Sequence, residues 1–149
     1  MTTLTFSRTT SATPEQFLAA LTDFGPGRSE IFPNSADGFL TVHEQGADFA
    51  DVTEGSRGIW ERLRYDWSDP KRIVLTTTDS NVWGGRSGHT YTLAAEPNGG
   101  CRVDVTVVRD GKGVRGWLVE RLVALGGKRV LGKALDQTIR AVESRAQSQ

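Results

Sequence analysis

The sequence predicts an α+β fold in which a curved, seven-stranded antiparallel sheet wraps around a long C-terminal helix, with two short helices between the first two strands. Three observations support this fold class. Residues 113–145 carry apolar side chains mostly at spacings of three and four, as on one side of a helix. Between residues 39 and 110 the period changes to two, and turn signals recur at strand spacing. Such a helix needs a broad apolar partner, and the upstream chain that can provide one has the pattern of strands.

The N-terminal part predicts one strand and two short helices. Apolar and polar residues alternate around Leu4, which indicates a first strand. Thr13 and Gln16 have the spacing of a capping box, with proline at the first helical position between them. The Gly-Pro-Gly segment 25–27 ends this helix, and its proline opens a second short helix through residues 29–32.

Six further strands follow, separated by short turns rich in Gly, Asn, Asp and Pro. Because the joints are short, neighbouring strands are expected to pair as antiparallel hairpins. The longest joint, around Trp83, contains two glycines. The predicted strands cover residues 39–45, 48–55, 58–68, 72–79, 87–96 and 101–109.

Alternation also predicts which side chains point from the sheet towards the helix. The apolar members of this inward face are Ile59, Leu63, Tyr65, Trp67, Tyr91, Leu93, Val103, Val105 and Val107. The same alternation places three polar side chains inward, namely Glu61, Thr77 and His89. Polar groups on such a face must be hydrogen-bonded or in contact with water.

The long C-terminal helix is interrupted by Gly126 and Gly127. Its seven apolar side chains form two faces about 110° apart at roughly 100° per residue, so a bend or break is expected at the glycine pair. Close packing of the backbone against the sheet and a hinge over a ligand cavity both explain the pair. The apolar residues expected to be buried are Leu118, Leu122, Leu125, Leu131, Leu135, Ile139 and Val142.

Composition excludes several classes of protein. A chain of 149 residues is expected to form one domain, residues 1–149. Eighteen basic residues balance eighteen acidic ones, so no global charge recruits nucleic acid or a membrane. The single cysteine and the lack of a signal-like segment predict the cytoplasm. No clustered ligands for a metal ion are evident, and no cofactor is expected.

Charge is unevenly distributed along the chain. From Arg109 onward there are nine Lys or Arg against four Asp or Glu, a net of +5, which the preceding residues balance. A basic helix facing an acidic sheet explains this asymmetry by intramolecular complementarity. An anionic ligand or a phospholipid surface is the alternative explanation.

Four segments of the chain carry a resemblance to a known family: 12–24, 60–73, 91–93 and 99–103. They resemble the START-related helix-grip superfamily (SRPBCC), specifically its polyketide cyclase/dehydrase-like branch. The resemblance implies a cavity between sheet and C-terminal helix that holds a lipid, sterol or polyketide-like molecule. Many members bind or carry ligands, and some cyclise or dehydrate them. One departure is the segment 24–28, where family members often carry a tryptophan and this chain has none.

The segment 111–116 matches the dinucleotide fingerprint G-x-G-x-x-G between a strand and a helix. The context argues against nucleotide binding, because the preceding strand belongs to a hairpin and no parallel strand follows the helix. A flexible joint between strand and helix explains these glycines.

The leading hypothesis from the sequence is binding or carriage of a small hydrophobic ligand. Tryptophans in the longest loop and in the first turn of the helix are expected to close one entrance of the cavity. The partner is this ligand, without nucleic acid or stable membrane insertion, and the protein is a monomer or homodimer. The candidate ligand-binding residues are Leu63, Tyr65, Thr77, Trp83, His89, Tyr91, Trp117, Leu118 and Leu122.

Two alternatives remain open. One is a cyclase- or dehydratase-type enzyme with His89 as general base, Tyr91 as proton donor and Glu61 beside them. The other is a membrane- or protein-interaction module that uses the basic helix face around Lys128, Arg129 and Lys133.

Overall fold

The computed structural model describes residues 1–148 and has the predicted helix-grip architecture, a seven-stranded antiparallel sheet and a long C-terminal helix. The strands follow the spatial order β1-β7-β6-β5-β4-β3-β2, and every pairing is antiparallel. All neighbouring strands are consecutive in sequence except β1 and β7, where the last strand pairs with the first. The strands are β1 (Thr2–Thr10), β2 (Thr41–Gln45), β3 (Phe49–Gly55), β4 (Trp60–Asp69), β5 (Arg72–Ser80), β6 (Gly88–Ala95) and β7 (Cys101–Arg109).

Two short helices lie between β1 and β2, as expected from the sequence. Helix α1 (Pro14–Leu21) begins with the predicted capping box, in which Thr13 and Gln16 satisfy each other's backbone N–H groups. Helix α2 (Arg28–Ile31) follows Gly27, whose φ of 87° lies in the left-handed region. A further 3₁₀ turn at Asp37–Phe39 leads into β2.

The C-terminal helix runs through 35 residues and changes its hydrogen-bond pattern at the predicted position. Helix α3 (Gly113–Leu122) passes into a π-helical segment (Val123–Gly127), and α4 (Lys128–Gln147) continues from it. A Cβ atom on Gly127 would lie 2.8 Å from Val123 Cγ1 and 3.4 Å from Leu4 Cδ1. The tight contact is with Val123 of the same helix, whereas the distance to Leu4 of β1 is an ordinary van der Waals contact. None of the helices within residues 1–148 combines the length and apolar character needed to cross a bilayer.

The core lies between the sheet and α4, with α1 and α2 at one end. From the sheet it contains most of the predicted inward face, such as Leu63 and Val103, and also side chains outside that prediction, such as Val52 and Ile73. Ile59 is an exception, because 41% of it is exposed. The helix contributes buried Leu135, Ile139 and Val142 and partly buried Leu131.

The predicted burial of the leucines in α3 and the π-helical segment is wrong. Leu118, Leu122 and Leu125 are 53%, 68% and 86% exposed. The only buried residue of α3 is Gly116, where an added Cβ would lie 2.3 Å from the Val82 carbonyl oxygen. Helix α3 thus packs through its backbone, and this contact turns its leucine face outward.

The same close contact explains the G-x-G-x-x-G segment. A Cβ on Gly111 would lie 2.3 Å from the Gly116 carbonyl oxygen, and Gly113 has a φ of 68°. Glycine is required at the first position for backbone approach and at the second for a left-handed conformation. The glycines therefore shape the joint between β7 and α3, as expected, but this joint is closely packed and nothing shows the flexibility that the sequence suggested.

Candidate functional site

A cavity of about 720 Å³ lies between the inward face of the sheet and the C-terminal helix. Leu63, Leu75, Val105 and Val107 form part of its apolar floor on the sheet side. On the helix side it is closed by residues of α4 and of the π-helical segment, namely Val123, Leu131, Ala134, Leu135 and Thr138. The strand period of two and the helix period near 3.6 produce these two facing walls.

One buried polar group in the cavity wall centres on Glu61 and Arg109. Nη1 and Nη2 of Arg109 donate to the two carboxylate oxygens of Glu61, each at 3.0 Å, so the two side chains form a bidentate pair in the cavity wall. Thr77 donates to the same carboxylate at 2.8 Å. The Trp83 ring lies over the guanidinium, 5.0 Å from Arg109 Cζ to its centroid. We call Glu61, Thr77, His89 and Arg109 the Glu61 group.

The contact with Arg109 assigns the proton on His89. Arg109 Nη2 lies 3.0 Å from His89 Nε2, and because a guanidinium only donates, Nε2 accepts. The neutral ring therefore carries its proton on Nδ1, which is fully buried and has no hydrogen-bond partner within residues 1–148. Burial, reinforced by the positive charge of Arg109, lowers the pKa of His89 from 6.5 to about 4. His89 is thus a neutral side chain at physiological pH.

Burial and the neighbouring side chains shift the pKa of Glu61 in opposite directions. Burial alone raises a carboxyl pKa, but the charge of Arg109 and the hydrogen bonds from Arg109 and Thr77 outweigh it. The pKa of Glu61 therefore lies below its ordinary value, and the group is an ion pair at neutral pH. Its hydrogen-bonding capacity is largely used within the protein.

A second buried group centres on Arg28, whose side chain is 1% exposed. Its Nε donates to Glu54 Oε1 at 2.6 Å, and its Nη2 donates to Tyr65 Oη at 3.0 Å. Tyr65 in turn donates to the other oxygen of Glu54. Rings of Phe24 and Phe32 lie 4.5 and 4.6 Å from the guanidinium carbon. The carboxylate and the guanidinium compensate each other's burial, as a buried ion pair requires.

Tyr91, like Nδ1 of His89, carries a polar atom that is not used within the described part of the protein. It lines the cavity, and no hydrogen bond from its Oη is present within the described part of the chain. Burial raises the pKa of Tyr91 to about 12. The side chain is therefore a neutral phenol that faces the cavity and is able to donate to or accept from a ligand oxygen.

The structure brings together most of the residues that the sequence predicted. Leu63, Tyr65, Trp83, His89 and Tyr91 line the cavity. Thr77 does not line the cavity itself but donates a hydrogen bond to the carboxylate of Glu61. Trp83 is 4% exposed and is held by a β-bridge between its backbone and that of Gly111.

Three predicted residues lie outside the cavity. Trp117 is 55% exposed, and Leu118 and Leu122 are on the outward side of α3. The prediction that they line or close the cavity is wrong, because α3 contacts the rest of the protein through Gly116. The helix wall of the cavity is supplied further along the chain, where Leu131 and Leu135 occupy the positions expected for the earlier leucines.

Sequence reasoning missed two charged members of the cavity wall, Glu54 and Arg109, and the buried Arg28 that pairs with Glu54. Glu54 has the same parity in its strand as the buried Ala50 and Val52, and Arg109 continues the series of Val103, Val105 and Val107. Strict alternation was therefore a usable signal for both. Arg28 lies in a turn of a four-residue helix, where no periodic pattern indicates burial.

Within residues 1–148, no three His, Cys, Asp or Glu side chains are arranged to hold a metal ion.

Comparison with solved structures supports the same fold. A protein of Thermus thermophilus has a TM-score of 0.74 at 17% identity, with 97% of this chain and 99% of that chain covered. The Zhui aromatase/cyclase from Streptomyces sp. R1128 has a TM-score of 0.74 at 15% identity, covering 97% and 95%. A START superfamily protein from Mycobacterium smegmatis has a TM-score of 0.68 at 12% identity, covering 98% and 97%.

At the level of sequence, no curated protein matches this chain. A family model does match it, over residues 1–143, and the family is described as polyketide cyclase/dehydrase and lipid transport. The match covers both walls of the cavity and both buried polar groups. This chain is therefore a member of the polyketide cyclase/dehydrase and lipid transport family.

Proposed function

We propose that the protein binds or carries a small hydrophobic molecule, a lipid, a sterol or a polyketide-like compound, inside the cavity. The observation that carries this proposal is the cavity of about 720 Å³ between apolar sheet and helix walls. Pockets for small molecules are usually about 300–1,000 Å³, mostly apolar and supplied with a few placed polar groups. The membership of the family supports the same conclusion.

The polar groups of the wall narrow the expected chemistry of the ligand. Glu61 and Arg109 satisfy each other, and Arg28 and Glu54 do the same, so neither pair requires a charged ligand. The Tyr91 hydroxyl remains available for hydrogen bonding. A mainly apolar ligand with one or a few oxygen atoms fits this distribution, because its body contacts the aliphatic walls and one oxygen meets Tyr91.

A cyclase- or dehydratase-type reaction is the second candidate, favoured by the presence of His89, Tyr91 and Glu61 in one cavity wall. The protonation states of His89 and Tyr91 argue against this reaction. The lone pair of His89 Nε2 already accepts from Arg109, and a pKa of about 4 makes the ring a weak base at neutral pH. Tyr91, with a pKa of about 12, is a weak acid. We therefore place ligand binding ahead of turnover.

A cytoplasmic location completes the proposal. Its support is the single cysteine, Cys101, which is buried as a free thiol and fits a reducing compartment.

Native mass spectrometry of freshly purified protein tests the binding proposal directly. The wild-type protein is expected to retain an apolar molecule or to bind one of three probes, a long-chain fatty acid, a sterol or an aromatic polyketide. The Ala134→Trp variant places an indole in the cavity wall and is expected to lose this binding. Ala124→Trp is the matched control, because Ala124 is exposed and lies outside the cavity.

Two results would reject the proposal. One is a wild-type protein that carries no molecule and binds none of the three probes. The other is equal binding by the Ala134→Trp and Ala124→Trp variants, which would locate the ligand elsewhere.

For the enzyme candidate, His89→Ala is expected to abolish turnover with ligand affinity preserved, and retained turnover would exclude His89 as the base.

A further inference from the structure

The outward side of α3 is an apolar surface that nothing in residues 1–148 covers. Nine large hydrophobic side chains of the described chain are strongly exposed, and six of them fall between Val114 and Val130. This concentration on one helix is unusual, because exposed apolar side chains are normally scattered singly. We call the five members on α3 and the adjoining π-helical turn the α3 face: Val114, Trp117, Leu118, Leu122 and Leu125.

The other side of α3 holds this face in its outward orientation. Gly116 lies against the Val82 carbonyl, with no space for a side chain between them. Glu120, on the same inner side, accepts from the Gly111 backbone N–H at 2.8 Å and from the Thr2 hydroxyl at 3.0 Å. Rotation of α3 to bury its leucines would break these contacts, so the α3 face is a fixed surface.

The same stretch of helix is rich in basic side chains. Between residues 113 and 133 there are five Lys or Arg and one Asp or Glu, the inward-facing Glu120. Within residues 1–148 none of these five basic side chains forms a salt bridge. One of them, Arg121, lies over the Trp117 ring at 5.4 Å. The five are Arg115, Arg121, Lys128, Arg129 and Lys133.

We propose that the α3 face docks on a phospholipid membrane surface that carries anionic lipids. An exposed apolar strip with Trp and Leu, bordered by Lys and Arg, is the combination that binds at the boundary of headgroups and acyl chains. The apolar side chains enter that boundary, and the basic side chains contact the anionic headgroups. The charge of this region matches an anionic partner, because its only acidic side chain is turned into the protein.

A second copy of the chain fits this surface poorly. In a two-fold dimer the same patch meets itself, so the basic side chains Arg115, Arg121 and Arg129 of both copies would approach one another. Like charges brought together at an interface are destabilising. The charge pattern therefore favours a lipid surface over self-association.

Docking through α3 also positions the mouth of the cavity. Arg115 donates to the carbonyl of Gly58 at 3.1 Å, and Gly58 borders the cavity together with Ile59 and Trp60. A membrane bound at α3 thus lies beside this mouth. Transfer of a ligand between bilayer and cavity rests on the proposed function, whereas docking itself does not depend on an occupied cavity.

Co-sedimentation with vesicles tests the docking. The full chain is expected to bind phosphatidylcholine vesicles that contain phosphatidylserine, and to bind vesicles of phosphatidylcholine alone much more weakly. Leu122→Glu is expected to reduce the affinity at least about tenfold, since it removes an inserted side chain and adds a repelled charge. Val42→Glu, on the exposed edge strand β2, is the matched control and is expected to retain wild-type affinity.

Charge reversal supplies the second arm of the test. The double variant Arg121→Glu/Arg129→Glu is expected to bind about 30-fold more weakly or worse. Its control is Lys71→Glu/Arg72→Glu, which reverses two charges at the start of β5. The other end of β5, at Ser80, is the end near α3, because the Ser80 carbonyl accepts from Lys112. Because all of these side chains are exposed, thermal unfolding of every variant is expected to match the wild type.

Three outcomes would overturn the proposal. The first is equal binding to neutral and anionic vesicles, or no binding to either. The second is a loss of affinity in the control variants as large as in the α3 variants. The third is sedimentation equilibrium showing a stable wild-type dimer that Leu122→Glu converts to a monomer, which would assign the face to self-association. Native mass spectrometry of the α3 variants separates this test from that of ligand binding, because their cavity is unchanged.

Discussion

The two halves of the C-terminal helix have the same kind of apolar spacing but opposite surroundings. In α4 the apolar side chains Leu135, Ile139 and Val142 are buried against the core. In α3 only a glycine is buried, and the leucines face outward. One continuous helix therefore contains a half that seals the core through apolar side chains and a half that approaches the protein through the backbone at Gly116 and through polar contacts.

The contacts of each half explain the difference. Helix α4 is joined to the rest of the protein by side chains, for example Thr138 to the Ile31 carbonyl at 2.7 Å and Asp136 to Arg8 at 2.8 Å. Helix α3 lies against the Val82 carbonyl with glycine at that point, and its side-chain contacts are the polar ones of Glu120 and Arg115. Apolar periodicity thus identifies a face but not the environment of that face.

The largest expected effect is on stability. Ile139→Ala in α4 is expected to lower the free energy of unfolding by about 2–5 kcal/mol, because it removes buried methyl groups and leaves a cavity. Leu122→Ala in α3 is the matched change at an exposed site, with an expected effect within about 0.5 kcal/mol. Urea unfolding of both variants measures the two values. Equal losses would show that α3 seals the core as α4 does.

The second prediction concerns His89, which lies in the cavity closed by α4. The unfolded chain takes up its proton near pH 6.5 and the folded chain near pH 4, so stability falls as the pH drops through this interval. The loss due to His89 reaches about 3 kcal/mol at most, at 1.36 kcal/mol per unit of pKa.

The measurement compares wild type with His89→Gln, a neutral variant that does not titrate in this range. Urea unfolding at pH 7 and at pH 4 is expected to give a shallower decline for the variant. Parallel pH profiles would show that His89 ionises freely, and that α4 does not shield the cavity from water.

The smallest expected effects come from two glycines of the helix. A Cβ at Gly116 meets the Val82 carbonyl, so Gly116→Ala is expected to destabilise the protein by about 1–3 kcal/mol. At Gly126 nothing lies within 4 Å, and Gly126→Ala is expected to stabilise by about 0.4–1 kcal/mol. Thermal unfolding gives the sign of each change. Stabilisation by both substitutions would contradict backbone packing as the attachment of α3.

Most of the fold was predictable from the sequence because its signals are local. Turn residues and period-two alternation located all seven strands, and Thr13 with Gln16 marked the start of α1. Alternation also placed Glu61, Thr77 and His89 on the inward face, where the structure has them. The same alternation, applied to charged residues as well, also places Glu54 and Arg109 on the inward face.

The placement of the polar groups relative to one another was not predictable. Glu61 and Arg109 are 48 residues apart in sequence and meet only because β4 and β7 face the same cavity. Arg28 reaches Glu54 and Tyr65 from a short helix whose direction depends on the packing of its neighbours. Pairing across such distances depends on the order and twist of strands, which local patterns do not encode.

By itself the sequence determined the strands, the helices, the inward face of the sheet and an irregularity of the long helix near Gly126 and Gly127, because each depends on residues close together along the chain. Only the tertiary structure decided which helical face meets the sheet. The close approach of Gly116 to Val82 joins segments that are distant along the chain, and it turns the α3 leucines outward and leaves the cavity to be closed by α4.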